Sequence, residues 1–353
     1  MNTITHKKNL NLLKIASISF AIASSASAQT ERCPIGIGGP GDTDLIICSP
    51  RFDVRNLALD PNSITRNAST LTLTGSHHRT LIDHAAGRKG LVTWATGDFA
   101  QFDEYSANQE AAEIGFSHDF GIEHMRFGFA IGYSNMDQDL PFGGNNDSDG
   151  NFVFAEADYA VPGSAIVLSA AAYYGEWDLN IDRAYPFGGG VGVSRGTTDA
   201  DTFALRLRAD WVDYTTISGF SITPRIAYTL IHTSSDAYAE AGGPIPATFN
   251  SQSNTDHEIR VGIDADYKVS DNTDLRTIVE VVKRWNDDAT SSGLVGITPF
   301  NFNLDDPKSF WGRIGVELVH NFTDTQQVSV ALFGSTEGSD PTVSGAISFS
   351  MDF

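Results

Sequence analysis

Ser76, His77, His78, Asp83 and His84 crowd into one short stretch and are the residue types of a hydrolase triad. A triad, however, needs groups converging from separate parts of a fold on a nucleophile held at a tight turn. These five follow one another along a single segment, and no G-x-S-x-G sequence occurs. They read as polar contacts of a helix, with His78 on its recurring face. Neighbouring histidines on a helix point apart, which argues against a shared metal. The run Asn145-Asn146-Asp147-Ser148-Asp149-Gly150, followed by Glu156, approaches the spacing of a calcium loop. Its first ligand is Asn, and Glu156 falls in a strand pattern with no exiting helix to return it to an ion. A solvated acidic loop is the expectation there. Cys33 and Cys48 are the only cysteines. In an oxidising compartment an isolated pair reads as one disulfide, worth about 3 kcal/mol if unstrained. The second pair or the histidines of a zinc site are missing. The chain therefore reads as a non-enzyme with no catalytic residue, no metal site and no cofactor.

The compartment follows from the first residues. Lys7, Lys8 and Lys14 precede a short apolar core, Ile15 to Ala23, and Ala26-Ser27-Ala28 is a small-residue cleavage site. Residues 1–28 read as a secretory signal, too short in its apolar part to span a bilayer. No later stretch reaches 18 apolar residues. The net charge of −21, near −24 after signal removal, excludes a nucleic-acid partner, which would want a basic face.

From Leu91 onwards twelve segments alternate between apolar and polar, at about 91–101, 109–119, 123–135, 151–161, 164–177, 199–213, 217–232, 255–268, 273–285, 309–322, 326–335 and 342–353. A period of two means a strand with two unlike faces. Phe203, Leu205, Leu207, Ala209 and Trp211 share one face; Arg206, Arg208 and Asp210 share the other. Phe220, Ile222, Pro224, Ile226, Tyr228 and Leu230 oppose Arg225. Ile259, Val261, Ile263, Ala265 and Tyr267 oppose Arg260, Asp264, Asp266 and Lys268. Gly312, Ile314, Val316 and Leu318 oppose Arg313 and Glu317. No charge sits on these apolar faces. An Arg or Lys facing lipid costs roughly 2–4 kcal/mol at mid-bilayer, so lipid contact predicts that absence. Asp98 and His118 interrupt the pattern in the first two strands. No serine accompanies His118 on its face, which excludes a lipid-facing phospholipase site.

The connections alternate in length. Those near 120–122, 162–163, 214–216, 269–272 and 323–325 are tight; those near 136–150, 178–198, 233–254 and 286–308 are long and polar. That two-sidedness belongs to outer-membrane barrels. The expected fold is all-β: a twelve-stranded antiparallel transmembrane barrel in the Gram-negative outer membrane, its short turns in the periplasm and its long loops outside. Arg206, Arg208, Arg225, Arg260, Arg276, Glu280, Arg313 and Glu317 would line its lumen and pair with one another, or set ion selectivity if nothing filled the pore.

Ahead of the strands, Ile64, Ala68, Leu71, Gly75, His78, Ile82 and Ala85 recur at helical spacing. Ser63 would cap the start and Gly87 end the helix, with a strand over Thr70 to Thr74 as the competing reading. The division expected is a signal at 1–28, a disulfide-clamped segment at 29–62, a linker helix at 63–89, and the barrel at 90–353.

The barrel block resembles the translocator domain of autotransporters, the type V secretion family. The resemblance rests on Trp94-Ala95-Thr96-Gly97-Asp98-Phe99, Phe220-Ser221-Ile222-Thr223-Pro224-Arg225, Ser309-Phe310-Trp311-Gly312-Arg313-Ile314-Gly315 and the aromatic terminus Phe353. It covers about three quarters of the chain. It implies a helix threading the barrel to a secreted passenger, and a last strand read by the barrel-assembly machinery through Phe349, Met351 and Phe353. The family's passengers usually run to hundreds of residues; here about 34 separate the cleavage site from the helix. The expected function is translocation or display of that short segment without nucleotide. Alternatives are a small-solute pore plugged by the segment, or an adhesin acting through its acidic loops. The expected surroundings are outer-membrane lipid and lipopolysaccharide, with the chain a monomer.

Overall fold

The computed structural model describes residues 61–74, 90–103, 106–187, 189–286, 289–304, 309–336 and 338–353. All of these belong to one compact unit, Ser49–Phe353. The signal, Cys33 and Cys48, and Ser76, His77, His78, Asp83 and His84 lie outside the described residues. Among the described residues there are one α-helix, α1 (Pro61–Thr74), a 3-10 turn at Pro141–Gly143 and seventeen strands.

Twelve long strands form the wall: β1 (Leu91–Phe102), β2 (Ala107–His118), β3 (Met125–Leu140), β4 (Gly144–Ala160), β5 (Ile166–Phe187), β6 (Gly190–Trp211), β8 (Phe220–Ser235), β11 (Gln252–Ser270), β12 (Thr273–Asn286), β15 (Phe310–Thr323), β16 (Gln326–Ser335) and β17 (Val343–Asp352). Each pairs antiparallel with the next. β1 pairs with β17 from Val92↔Asp352 to Gln101↔Val343, and β8 pairs with β11, so the ring closes and leaves no edge. A short strand, β7 (Thr215–Ile217), continues the β6–β8 turn.

The distribution of side chains is inverted relative to a water-soluble domain. Ile114, Leu207 and Ile347 point outward, 60–62% exposed, while Arg206, Arg313 and Asp264 point inward and are at most 4% exposed. Apolar side chains facing away from the protein and charges facing its centre suit a wall bathed in hydrocarbon around a polar interior. Aromatics mark the two borders of this belt. Trp211, Tyr214, Phe220 and Tyr267 sit at the turn end; Tyr133, Tyr174, Tyr228 and Trp285 sit toward the loop end. The stretch from Phe203 to Trp211 matches the ~9–11 residues that a tilted strand needs to cross.

Two expected loops prove to be strands. Residues 136–150 are the upper parts of β3 and β4 around a tight turn at Pro141–Gly143, and 178–198 continue β5 and β6, each 22 residues long. Their Asp, Asn and Gly content reads as loop, yet the ladder runs unbroken from Asn145↔Asp182 to Ala160↔Val167. Backbone pairing carries these strands beyond the apolar belt, where outward side chains have no reason to be greasy. The other two long connections also contain strands. β9 (Tyr238–Ala239), β10 (Ala247–Phe249), β13 (Thr290–Val295) and β14 (Thr298–Asn303) form a separate four-stranded sheet. This cap packs its aromatics on the inner face of the β5–β6 ribbon. Tyr238 stacks on Phe249 at 4.8 Å, and Phe249 meets Phe300 edge-on at 5.5 Å. Trp177, Leu179 and Ile181 of β5 join the same buried cluster.

Inside the wall, large aromatics lie over glycines of the adjacent strand. A Cβ at Gly150 would collide with the Trp177 ring, and one at Gly315 with the Phe333 ring. Such pairing lets a curved sheet pack without voids. Gly150→Val should therefore cost about 1–3 kcal/mol by overpacking, read as a lower urea midpoint of the folded form on unheated gels. An unchanged midpoint would refute the packing role.

Candidate functional site

The interior of the barrel holds α1. Pro61 opens the helix, where its missing N–H loses no bond. The helix therefore begins two residues before the expected Ser63, which lies inside it. Helix also prevails over strand at Thr70–Thr74. The expected continuation to Gly87 lies outside the described residues. Apolar and polar side chains are buried alike, from Ala68, Leu71 and Leu73 to Asn67, Ser69 and Thr72, because the wall surrounds the helix. Its hydroxyls turn back onto its own carbonyls: Ser69 Oγ donates to Arg66 O at 2.7 Å, and Thr70 Oγ1 to the same carbonyl at 3.0 Å. That satisfies polar groups where water is scarce.

Polar contacts along its length tie α1 to the wall. Arg66 lies 3.7 Å from Asp256, near the loop end of β11. Gln109 Nε2 donates to Ala68 O at 3.4 Å. Arg206, toward the turn end of β6, donates to the carbonyl of Leu73 and bridges to Glu156 at 2.7 Å. A guanidinium at a helix C-terminus meets the negative end of the dipole. These contacts set the polarity of the helix: its N-terminal part lies toward the loops, its C-terminal part toward the turns.

The rest of the lumen is a charge network. Glu280 of β12 lies 3.1 Å from Arg225, 3.2 Å from Arg313 and 3.8 Å from Arg260. Arg225 also pairs with Asp264 at 2.8 Å, and Arg260 with Glu258 at 2.5 Å. Arg208 pairs with Asp210 at 2.5 Å. Nearer the turns, Arg276 bridges Asp266 at 2.6 Å and Glu317 at 2.9 Å. Arg284 meets Asp256 at 2.9 Å, so Asp256 holds a guanidinium from the wall and one from the helix. The eight charged residues singled out from sequence thus all face inward. Glu156 does too, and Asn145 to Gly150 are strand residues alternating between faces, so no calcium loop forms. Asp98 faces inward and is buried, whereas His118 sits at the turn end of β2, its Nδ1 accepting from Phe120 N–H at 2.6 Å.

Asp340 escaped sequence reading because it lies in a connection, between β16 and β17, where no strand parity assigns it a side. The connection dips inward, and the carboxylate takes bonds from Arg260 at 2.5 and 2.8 Å and from Trp311 Nε1 at 2.8 Å. Burial pushes its pKa up, but Arg260 and Arg313 outweigh burial and hold it below the ordinary 3.8. A lowered carboxylate contributes stability that is fully present above pH 3.8 and is lost as pH falls through its folded pKa. Asp340→Asn should lower stability at neutral pH and flatten the acid limb below about pH 4, read by thermal melts in detergent. An acid limb identical to the parent's would exclude this role.

A buried ion pair helps to fasten the cap to the ribbon. Arg183 of β5 donates to both oxygens of Glu240, at 2.8 and 2.6 Å, and to Ile245 O at 2.8 Å; Glu240 also accepts from Ala247 N–H at 2.8 Å. Burial, and then Glu240, raise the Tyr238 phenol far above its usual range, so it stays neutral. No strand parity in the sequence pointed to this clamp, since Glu240 lies in the connection after β9.

A closed twelve-stranded barrel with a helix in its lumen narrows the identity, and residues 89–335 match the Autotransporter beta-domain family. The chain belongs to that family. Its fold is similar to the translocator domain of the autotransporter NalP from Neisseria meningitidis, with 14% identity, 84% of this chain and 100% of that chain covered, and a TM-score of 0.65. The beta domain of the Bordetella autotransporter BrkA is also similar, with 12% identity, 75% and 99% covered, and a TM-score of 0.51. A search of curated proteins returned no match. The chain is thus an outer-membrane translocator β-domain of the type V secretion class. In this autotransporter β-domain Trp94, from the first family-like segment, donates to Glu113 at 2.8 Å, and Trp311, from the third, holds Asp340.

Proposed function

We propose that this β-domain carries its own short N-terminal segment across the outer membrane and displays it at the loop end, which faces the exterior. The observation that supports this reading is the polarity of α1. β1 begins at the turn end, while Arg66 in the first half of the helix meets the wall near the loops, so the N-terminal end of α1 lies toward the loop side of the lumen. The charge network and α1 supply lumen packing and no chemical step, and the process draws on no nucleotide. Phe349 lies exposed on the outer face of β17, and Phe353, one residue beyond the strand, is exposed as well, with Met351 between them. There they are open to the barrel-assembly machinery before lipid covers them. The barrel works as a monomer.

An epitope inserted after Ala28 tests display. Antibody labelling of intact cells is the expected result. Labelling only after the outer membrane is permeabilised would overturn display and leave the segment as a retained plug.

A further inference from the structure

The outer wall changes character at the loop-end border of the apolar belt. On β3 to β6 the outward alternation passes from Tyr133, Val153, Tyr174 and Phe203 into carboxylates, among them Asp137, Asp149, Asp178 and Asp199. Register sets Asp149 opposite Asp178 and Asp178 opposite Asp199. Within β8, β11 and β12 the corresponding border carries no outward carboxylate among the described residues; the nearest are Asp236, which follows β8 beside Asp199, and Asp201 of β6, which accepts from Ser234 Oγ at 2.9 Å. It carries His232, Thr255, His257, Lys283 and Trp285 instead.

Strand pairing gathers these into one patch. His257 is opposite Trp285 and the rings stack, 5.8 Å apart at 11°. His257 is also opposite Leu230, which places His232 one outward position away on β8. Lys283 lies opposite Ile259, one outward position from Trp285, and its Nζ reaches Ser309 Oγ at 2.8 Å. Each imidazole meets a hydroxyl through Nδ1, His232 with Thr255 at 3.0 Å and His257 with Tyr228 at 2.7 Å. Among the described residues none takes either Nε2. Val261 and Val281 lie directly toward mid-bilayer and Phe310 lies opposite Lys283 on β15, all at least 47% exposed.

A cationic and hydrogen-bonding shelf standing on a greasy wall fits one kind of molecule, an amphiphile with an anionic head. We propose that His232, His257, Lys283 and Trp285 seat the phosphorylated headgroup of a lipid in the loop-end leaflet, its acyl chain lying along Val261, Val281 and Phe310. The carboxylates bordering β3–β6 repel the same headgroup, so one side of the barrel is selected. Trp285 contributes a flat amphipathic surface at the depth where indoles favour the interface.

Native mass spectrometry of the full mature chain in detergent, with bis-phosphorylated lipid A as probe, tests the assignment. One retained lipid A per barrel is expected. The variant H232Q/H257Q/K283Q should retain it about tenfold less, whereas Lys268→Gln, an exposed lysine at the turn end, should leave it unchanged. Lys283→Gln alone, checked for heat-shifted gel migration, covers failure of the triple variant to fold. Equal retention by the variants, or equal binding of dephosphorylated lipid A, would overturn the site. Displacement of lipid A by millimolar inorganic phosphate would assign the patch to free anions and overturn the lipid reading as well. A chain soluble without detergent would instead sink the barrel reading on which this site rests.

Discussion

Replacing Glu280 with leucine is expected to cost the folded barrel about 3–5 kcal/mol, the loss that follows when one member of a buried ion pair is removed and its partners stay behind. Glu280 is the shared acceptor of Arg225, Arg260 and Arg313, and all four side chains are at most 4% exposed. Arg313 cannot swing into water, because its guanidinium lies 3.9 Å over the Phe333 ring. Leucine would leave three cations facing one another across a lumen with little solvent to screen them. The urea midpoint of the unheated, folded gel form should fall sharply, and Glu280→Gln should fall less because it keeps hydrogen-bond acceptance at one oxygen. A midpoint matching the parent's would show that water already solvates these charges.

Deleting residues 29–87 is expected to open a conducting path through a barrel that otherwise passes little current. Every described side chain of α1 is buried, so the helix occupies space that the wall cannot collapse to refill, since backbone pairing fixes the circumference. Removal should appear as large stepwise currents in planar bilayers, absent before deletion. Arg66→Glu offers the same readout without truncation. It sets a carboxylate against Asp256, and like charges in a low-dielectric interior should push the helix out of register or out of the lumen. Equal conductance before and after deletion would point to a pore that α1 does not obstruct.

Legibility followed the two-residue period. Where outward residues meet lipid, alternation is chemically loud, and the segments from Phe203 to Trp211 and from Ile259 to Tyr267 carry their orientation in their residue types. The same parity put Arg206, Arg260 and Glu317 on one side of the wall. Beyond the lipid the period persists in the backbone but falls silent in composition: Asp178, Asn180 and Asp182 alternate with Trp177, Leu179 and Ile181, yet the stretch reads as a loop. Asp340 and Glu240 lie in connections, where no period operates at all.

Alternating polarity, turn spacing and apolar faces free of charge, such as Phe203 to Trp211 and Ile259 to Tyr267, were enough, in the chain alone, to determine twelve strands, their faces and the bilayer as their solvent. Tertiary structure alone decided which guanidinium meets which carboxylate, how the Asp340 connection dips into the lumen, and how two distant connections combine into a cap held by Arg183 and Glu240. The physical reason is range. Burial against lipid is a one-body property that each residue expresses locally, whereas an ion pair or a sheet made from separate loops exists only once closure of the ring has brought its members together.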